Sequence, residues 1–493
     1  MPENTQNEAS IKIGKKTFIT AVIILGLLMI TVGILSRVIP TGSYDRIIDN
    51  GRETVVQNSF HYTEAGQFPV WRWLTAPVEV LWSADGAVVI VIILFLLAVS
   101  GAFSLLENSG VMPLFISRVV DRFYKHKYVL MAIIVFFFML LGAVLGTFEE
   151  NIALVPIIIA LSYCLGWDSL VGLGMSILAS CFGFTAAITN PFSIAITQQI
   201  SDLPLYSGSL LRIFIFATFY LLVLQFLIRY ARRIEKDPAS SLVYAEDELL
   251  RRKYSKNDSF KSLLGKKSSE EIGRLGRAAA VFSIFILLIF LMIIVASFIS
   301  SLSEVELPVV GVLFLSGGLL SAGMAGIPRK QRLRILGKSA AGVAPGILLI
   351  LMAMSVKYII SNGGIMDTIL YYASDAISST SPYVAILMIY ALILLLELFV
   401  GSSSAKAFLV MPLIAPLSDL VGITRQTSVL AFCFGDGFSN VLYPTNPVLL
   451  ICLGLTVVSY TKWLRWTYKL QLFAFAAACG YLFLAIAIHY GPF

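Results

Sequence analysis

Thr189-Asn190-Pro191 and Thr445-Asn446-Pro447 each interrupt an apolar stretch, one in either half of the chain. Upstream, Pro156, Gly166 and Phe182 recur in the same register, without a gap, as Pro412, Gly422 and Phe438. Residues 156–191 and 412–447 therefore read as one segment written twice. Proline lacks the N–H that would continue a helix, and the preceding asparagine is a good N-cap. Each Asn-Pro thus closes one helical piece and opens another. A duplicated, interrupted hydrophobic segment in both halves of a membrane chain points to a transporter's substrate site.

Of the 493 residues, 58% are hydrophobic and 13% charged, against about 25% charged in an ordinary soluble domain. The apolar runs 17–40, 86–106, 277–300 and 466–488 are long enough for membrane helices. The fold class is an all-α polytopic membrane protein in the lipid bilayer. The duplication makes it an inverted-repeat transporter with two re-entrant hairpins and two broken helices. The first run is too long for a signal-peptide core and reads as a retained span. The five cysteines lie in apolar segments without metal-ligand spacing. The net charge of +7 sits mostly in loops, where it sets orientation, and does not point to nucleic acid.

Lys12, Lys15 and Lys16 put the N-terminus in the cytoplasm, and the polar segment 41–75 outside. Residues 111–124 mix apolar and basic positions, as an interfacial helix does. The basic block Arg329 to Arg334 and the pair Lys462 and Arg465 belong on the cytoplasmic side. The first repeat half, 1–230, holds span 17–40, span 86–107, hairpin 128–165, broken helix 168–200 and span 208–230. A flexible charged cytoplasmic linker, 231–275, and a connecting span, 276–300, follow. The second half, 301–493, holds spans 307–326 and 341–361, hairpin 381–420, broken helix 424–456 and span 466–488. Full crossings then number nine, the C-terminus is external, and the repeated segment runs in opposite directions in the two halves.

The charges left at membrane depth are Lys357, Lys406, Glu149, Glu150, Glu397 and Asp436, with Glu107 near the cytoplasmic end of its span. Each costs at least about 2.5 kcal/mol at the bilayer centre, so a partner or a wet cavity is expected. Most fall in or beside the duplicated segments. The first hairpin tip reads Gly146-Thr147-Phe148-Glu149-Glu150-Asn151 and the second Gly401-Ser402-Ser403-Ser404-Ala405-Lys406. Thr147, Asn151, Ser402, Ser403 and Ser404 are candidate ligand contacts. Glu150 is either such a contact or half of a capping box with Thr147. Glu149 is the stronger candidate for a cation or a proton. Lys406, the duplicated equivalent of Glu150, either faces the site or pairs with Glu397.

The breaks add Thr189, Asn190, Thr445 and Asn446, whose half-helix ends would offer N–H groups to anions and carbonyls to cations; the alternative is a plain proline kink. Before the second break, Asp436, Ser439 and Asn440 are candidates. Asp436 would bind a coupling ion or a substrate ammonium, or cap freed backbone N–H groups. Lys357 either serves the site or snorkels outward.

Gly435-Asp436-Gly437-Phe438-Ser439, with Tyr443-Pro444-Thr445 following, resembles the YfcC family, linked to the four-carbon dicarboxylate anaerobic carriers of the ion transporter superfamily. Glu149-Glu150 after Gly146, Asn190-Pro191-Phe192, Ser207-Gly208-Ser209 with Leu211-Arg212, Met411-Pro412-Leu413 with Pro416-Leu417, and Ser418 to Gly422 extend the resemblance. It implies secondary transport in the bacterial inner membrane by a scaffold and a transport domain. It also implies a homodimer whose transport domains move like elevators. Family labels include basic amino acid antiporter and dicarboxylate carrier. The tips here lack the Ser-Asn-Thr triplet of better-known superfamily members.

Carboxylates at the candidate site favour a cationic amino acid of the arginine or ornithine type, exchanged or coupled to an ion, with sodium or a proton as the coupling ion. The alternative is a dicarboxylate or other organic anion carried with sodium or protons; a passive channel is the reading from another class. No enzyme is expected. His61, His126 and His489 lie in loops or near a terminus, and neither a metal cluster nor a phosphate-binding glycine motif is present, which excludes an ATP-driven pump on this chain.

Overall fold

The computed structural model describes residues 15–49, 52–56, 58–63, 68–255, 269–296, 299, 302 and 305–491. Lys12 lies outside the described residues. The first part comprises α1 (Lys15–Val38), α2 (Val70–Glu79), α3 (Gly86–Ser109) and α4 (Val111–Phe123). Between α1 and α2 lie two short antiparallel pairs. β1 (Gly42–Ser43) pairs with β4 (His61–Tyr62), and β2 (Arg46–Asp49) with β3 (Arg52–Val55). Then come α5 (Lys127–Leu140), α6 (Val155–Cys164), α7 (Ser169–Leu173), α8 (Ala179–Ala186), α9 (Ile196–Ile200) and α10 (Ser209–Lys236). A short α11 (Glu248–Ser255) and a long α12 (Ser269–Ala296) link the halves. The second part holds α13 (Glu306–Met324), α14 (Arg329–Asn362), α15 (Met366–Ser378), α16 (Pro382–Glu397) and α17 (Ser403–Leu420). It ends with α18 (Arg425–Gly437), α19 (Pro447–Gly454) and α20 (Tyr460–Ala487).

The protein is an all-α polytopic membrane protein. Among the described residues, nine helical segments are long and apolar enough to cross a bilayer. That set departs from the sequence expectation at two places. Val111–Leu145 qualifies by length, although a 3₁₀ turn at Tyr124–His126 divides α4 from α5. Residues 425–454 do not qualify, because the second break splits them into α18 and α19. The basic block from Arg329 is also not a loop; it forms the first turns of α14.

The helices pack as two groups. In one, α3 lies against α13 and α14, α12 against α13, and α1 and α2 against α14. In the other, α16 and α17 pack on α18, α5 and α10 pack on α8, and α18 meets α8. The groups touch where α19 meets α14, where α17 meets β3, where α6 meets α4 and where the turn Glu150–Ala153 meets α13. Within the interrupted stretch Ser169–Ile200 an apolar run of 18 residues is 94% buried, against 28% for the like run in α1 and in Glu270–Ala296. Irregular backbone at membrane depth is tolerated only inside protein or around a cavity, and the fold puts it there.

Glycines permit the close approaches. A Cβ on Gly183 would lie 1.9 Å from the Met139 carbonyl oxygen, and one on Gly142 2.2 Å from that of Ser180, so α8 and the first hairpin meet backbone to backbone. A Cβ on Gly437 would lie 2.3 Å from Thr185 Cα, joining α18 to α8. Gly166 and Gly422, one repeat apart, both adopt left-handed backbone, with φ of 86° and 74°. The equivalent rings Phe182 and Phe438 face each other at 6.3 Å.

The stretch 231–275 is less of a free linker than expected. Residues 231–236 continue α10, and Val243 and Asp247 are fully buried. Asp247 accepts hydrogen bonds from the Tyr163 hydroxyl (2.6 Å) and the Ser169 N–H (2.9 Å). This docks the segment before α11 onto the end of α6 and the start of α7. Residues 256–268 lie outside the described residues.

Asp247→Ala leaves both donors without their acceptor, at about 1–3 kcal/mol per buried group. Trypsin cleavage after Arg251 is expected to accelerate several-fold in the variant. Burial pushes the Asp247 carboxyl up to about 6. A value raised in the docked form means that protonation favours docking. That stabilisation is complete below ~4 and is lost as pH rises through about 6. Cleavage in the wild type, normalised to a free peptide, should therefore quicken from about pH 5 to about pH 7; a flat profile would contradict the docking chemistry.

Candidate functional site

The second tip is built around a buried lysine. α16 ends at Glu397, and Ser402 caps α17 by accepting from the Ala405 N–H at 3.5 Å. One turn into α17, Lys406 Nζ donates to Asp436 Oδ1 at 2.8 Å and to Glu397 Oε2. Ser403 Oγ donates to Asp436 Oδ2 at 2.5 Å. The side chains of Lys406, Glu397 and Asp436 are 0%, 1% and 1% exposed. Lys406 thus has the Glu397 partner weighed from the sequence, and Asp436 as a second. Asp436 accepts from both Lys406 and Ser403 and so anchors the tip to the end of α18. Ser404 is half-buried beside it.

Both breaks form as the Asn-Pro pattern predicts. Asn190 Oδ1 accepts from the N–H groups of Phe192 and Ser193 at 2.8 and 3.2 Å, and Asn446 Oδ1 from those of Val448 and Leu449 at 3.0 and 3.2 Å. The freed backbone, however, is spoken for by the protein rather than bare. At the second break the Val441 and Leu442 carbonyls accept from Trp463 Nε1 and the Tyr460 hydroxyl, each at 2.8 Å. Asn446 donates to Asn440 Oδ1 (2.7 Å), Asn440 to the Asp436 carbonyl (2.5 Å), and Ser439 to that of Gly435. Thr445 Oγ1 is buried without a hydrogen-bond partner.

At the first break Thr189 and Asn190 reach the carbonyls of Gly142, Ala143 and Val144, in the π-helical turn that ends α5. Arg212, fully buried, donates to the Ile188 carbonyl at 3.2 Å. Buried peptide groups must be paired, and at both breaks the protein's own side chains supply part of that pairing.

The first tip turns at Gly146, with φ of 72°. Asn151 Nδ2 donates to Ser180 Oγ at 2.5 Å and to the Thr147 carbonyl at 2.9 Å. Thr147 Oγ1 lies 3.4 Å from Asn151 Oδ1. The expected capping box is displaced by one residue, since Glu150 Oε2 accepts from the Phe148 N–H at 3.2 Å, not from that of Thr147. Glu149 and Glu150 are half-buried. The charges acting on them are carboxylates, Asp436 on Glu149 and Glu149 on Glu150. Glu149 and Asp436 also both act on Cys181, so the first tip and the end of α18 converge on one place.

Three contributors escaped the sequence. Glu306 opens α13, is 3% exposed, and has Oε1 without a hydrogen-bond partner. It lies within electrostatic range of Glu150 and Glu149. In sequence it looks like a residue at a span end. Ser180 is the duplicated equivalent of Asp436 without its carboxylate, and was given no role from the sequence. Arg212 lay in a quoted stretch but carried no role. Lys357, in contrast, pairs with Asp85 at 2.8 Å, half-exposed at the rim. With Arg46 and Asp367 it lines a cavity of about 500 Å³ that reaches Val400 and Ala405 of the second tip. Arg46 is itself paired with Asp367 at 2.8 Å.

The profile of the DcuC family, C4-dicarboxylate anaerobic carriers, matches residues 18–487. A YfcC protein of Escherichia coli K12, whose name describes a basic amino acid antiporter, is 31% identical over 76% of this chain and 73% of its own. An uncharacterised protein of Haemophilus influenzae is 25% identical over 76% of this chain and 71% of its own. The Alcanivorax borkumensis YdaH transporter aligns over 96% of this chain and 99% of its own, with 15% identity and a TM-score of 0.40.

Removing one partner of a buried ion pair costs about 3–5 kcal/mol, because it strands the other charge. Lys406→Met is therefore expected to lower the thermal midpoint of the detergent-purified protein strongly. Combining it with Glu397→Gln and Asp436→Asn should recover most of the loss. Equal midpoints for the single and triple variants would show that the lysine is not held by these carboxylates.

Proposed function

The chain belongs to the C4-dicarboxylate anaerobic carrier family, and we propose that it is a secondary carrier that moves a small cationic amino acid by alternating access. The observation that carries this reading is the surplus of carboxylates where the two halves meet. Glu149, Glu150 and Glu306 gather at the first tip and α13, and Glu397 and Asp436 share one lysine. A guanidinium or ammonium would offset the repulsion among the first three. A dicarboxylate would add to it. The substrate's own carboxylate could use Thr445 Oγ1, which has no partner within the protein. In this reading Glu149 and Glu150 bind the cationic end, Glu306 completes the acidic face from the neighbouring helix group, and Asn151 and Thr147 hold the tip in shape.

The movement proposed is of one helix group against the other. The group containing both hairpins and both breaks carries the site, and the α3–α13–α14 group stays as scaffold. What supports this is that the contacts between them are confined to a few places, chiefly α19 on α14, α17 on β3, α6 on α4 and the first tip on α13. The facing pair Phe182 and Phe438 supports a pseudo-two-fold relation between the halves. Oppositely directed halves, a cytoplasmic N-terminus and a bacterial inner membrane location complete the proposal.

A second reading has its own support. The family description names C4-dicarboxylates, and Arg46 and Lys357 line the cavity beside the second tip, where they could collect an anion.

Purified protein in liposomes should take up labelled arginine in a saturable manner and accelerate when unlabelled arginine is inside; a channel would lack that acceleration. Glu149→Gln should reduce uptake at least about tenfold, the loss of roughly 1.4 kcal/mol of binding or barrier, with the protein still folded in the membrane. Uptake of succinate with no response to arginine would establish the second reading instead.

A further inference from the structure

We propose that Glu397, Lys406 and Asp436 form a proton-binding site, in which Glu397 Oε1 takes up one proton and releases it once per transport cycle. This rests on the carrier reading for its place in a cycle, but the proton site itself stands on geometry. Two carboxylates face a single ammonium, all three almost fully enclosed. With every group ionised the triad has a net charge of −1. A net charge buried in a low-dielectric interior is strongly disfavoured, and one proton makes the triad neutral.

The atoms show where that proton goes. Asp436 uses both oxygens, Oδ1 for Lys406 and Oδ2 for Ser403. Glu397 uses Oε2 for Lys406, while its Oε1 is buried with no hydrogen-bond partner. An acid at Oε1 leaves Lys406 paired to Asp436 and removes the surplus charge. Loss of the proton recreates a buried carboxylate that Lys406 must share with Asp436.

The surroundings bias this site through few groups. Glu149 from the first tip acts on Asp436. Cys181 of α8 and Cys433 of α18 lie within the same field. Cys479 of α20 and Tyr443 of the second break act on Tyr390 of α16. The residue that links substrate to proton is therefore Glu149. A cation bound there cancels its field at Asp436, stabilises the ionised triad and expels the proton from Glu397. The consequence is exchange of a cationic substrate for a proton, one charge for one charge. The lysine also occupies the space between Asp436 and Glu397 where a free metal cation would otherwise stand, so the second half couples to protons and not to sodium.

Infrared difference spectra of the purified protein between acidic and alkaline pH read the carbonyl stretch of buried carboxylic acids. Such bands are expected in the wild type, and one of them is retained in Glu150→Gln and lost in Glu397→Gln, an isostere of the protonated acid. Should Glu397→Gln fail to fold, carbon-13 labelling of glutamate but not aspartate carboxyls in the unmutated protein should shift the same band. In liposomes, an imposed proton gradient should drive labelled arginine or succinate, whichever moves, in the wild type but not in Glu397→Gln. A band unchanged in Glu397→Gln, a band unmoved by glutamate labelling, or wild-type uptake driven by sodium and indifferent to the proton gradient would each overturn the proposal. A band lost in Glu397→Gln while neither solute moves would support the proton site and count against the carrier reading alone.

Discussion

A buried ammonium bonded to two buried carboxylates holds the second half of this protein together. Lys406 comes from α17, Glu397 from α16 and Asp436 from α18. Three helices are thus tied at one point by charge, at a depth where water cannot share the load. The geometry tolerates little slack, because any separation exposes an ion to a medium that cannot solvate it. The tip, the end of α18 and the break beyond it are consequently one mechanical unit. The hydrogen bonds running from Asp436 through Asn440 to Asn446 extend that unit to the start of α19.

The first half reaches the same shape with neutral chemistry. Where the second half has Asp436 it has Ser180, and where the second has Lys406 it has Glu150. Its tip is fastened by Asn151 on Ser180 and by Thr189 and Asn190 on the end of α5. Hydrogen bonds, unlike the ion triad, leave the carboxylates Glu149 and Glu150 without an ion-pair partner among the described residues. One repeat sets a lysine and, as proposed, a proton against its two carboxylates, and its twin is left acidic. In the proposed reading, the matched sequence segments differ at a handful of positions that make one side the binding surface and the other its electrostatic counterweight.

That division bears on the two substrate readings. A cation suits the acidic side, and the family description names an anion. The cavity lined by Arg46 and Lys357 sits beside the neutralised half, away from Glu149 and Glu150. An anion entering there would meet cations already committed to Asp367 and Asp85, which weakens their pull. The acidic side has no such internal competitor, and this is why the cationic reading is preferred.

Much of the architecture was legible in the chain. Apolar run lengths gave the spans, and Asn-Pro inside them gave the breaks, because both depend on local chemistry: helix length against bilayer thickness, and a missing N–H. The matching left-handed turns at Gly166 and Gly422 follow from the same register. The sequence also isolated Glu149, Lys406 and Asp436, since an ionised group in an apolar run needs a reason to be there. It misjudged what surrounds the breaks, because Tyr460 and Trp463 on α20 take the freed carbonyls and nothing local announces that. It passed over Glu306, whose burial exists only once α13 packs on the first tip. It also read 231–275 as free, although Asp247 seeks donors on α6 and α7. The chain alone determined which groups are costly to bury and where helices must stop. Tertiary structure decided which partners settle those costs, because hydrogen bonds and ion pairs act over a few ångströms between residues far apart in sequence.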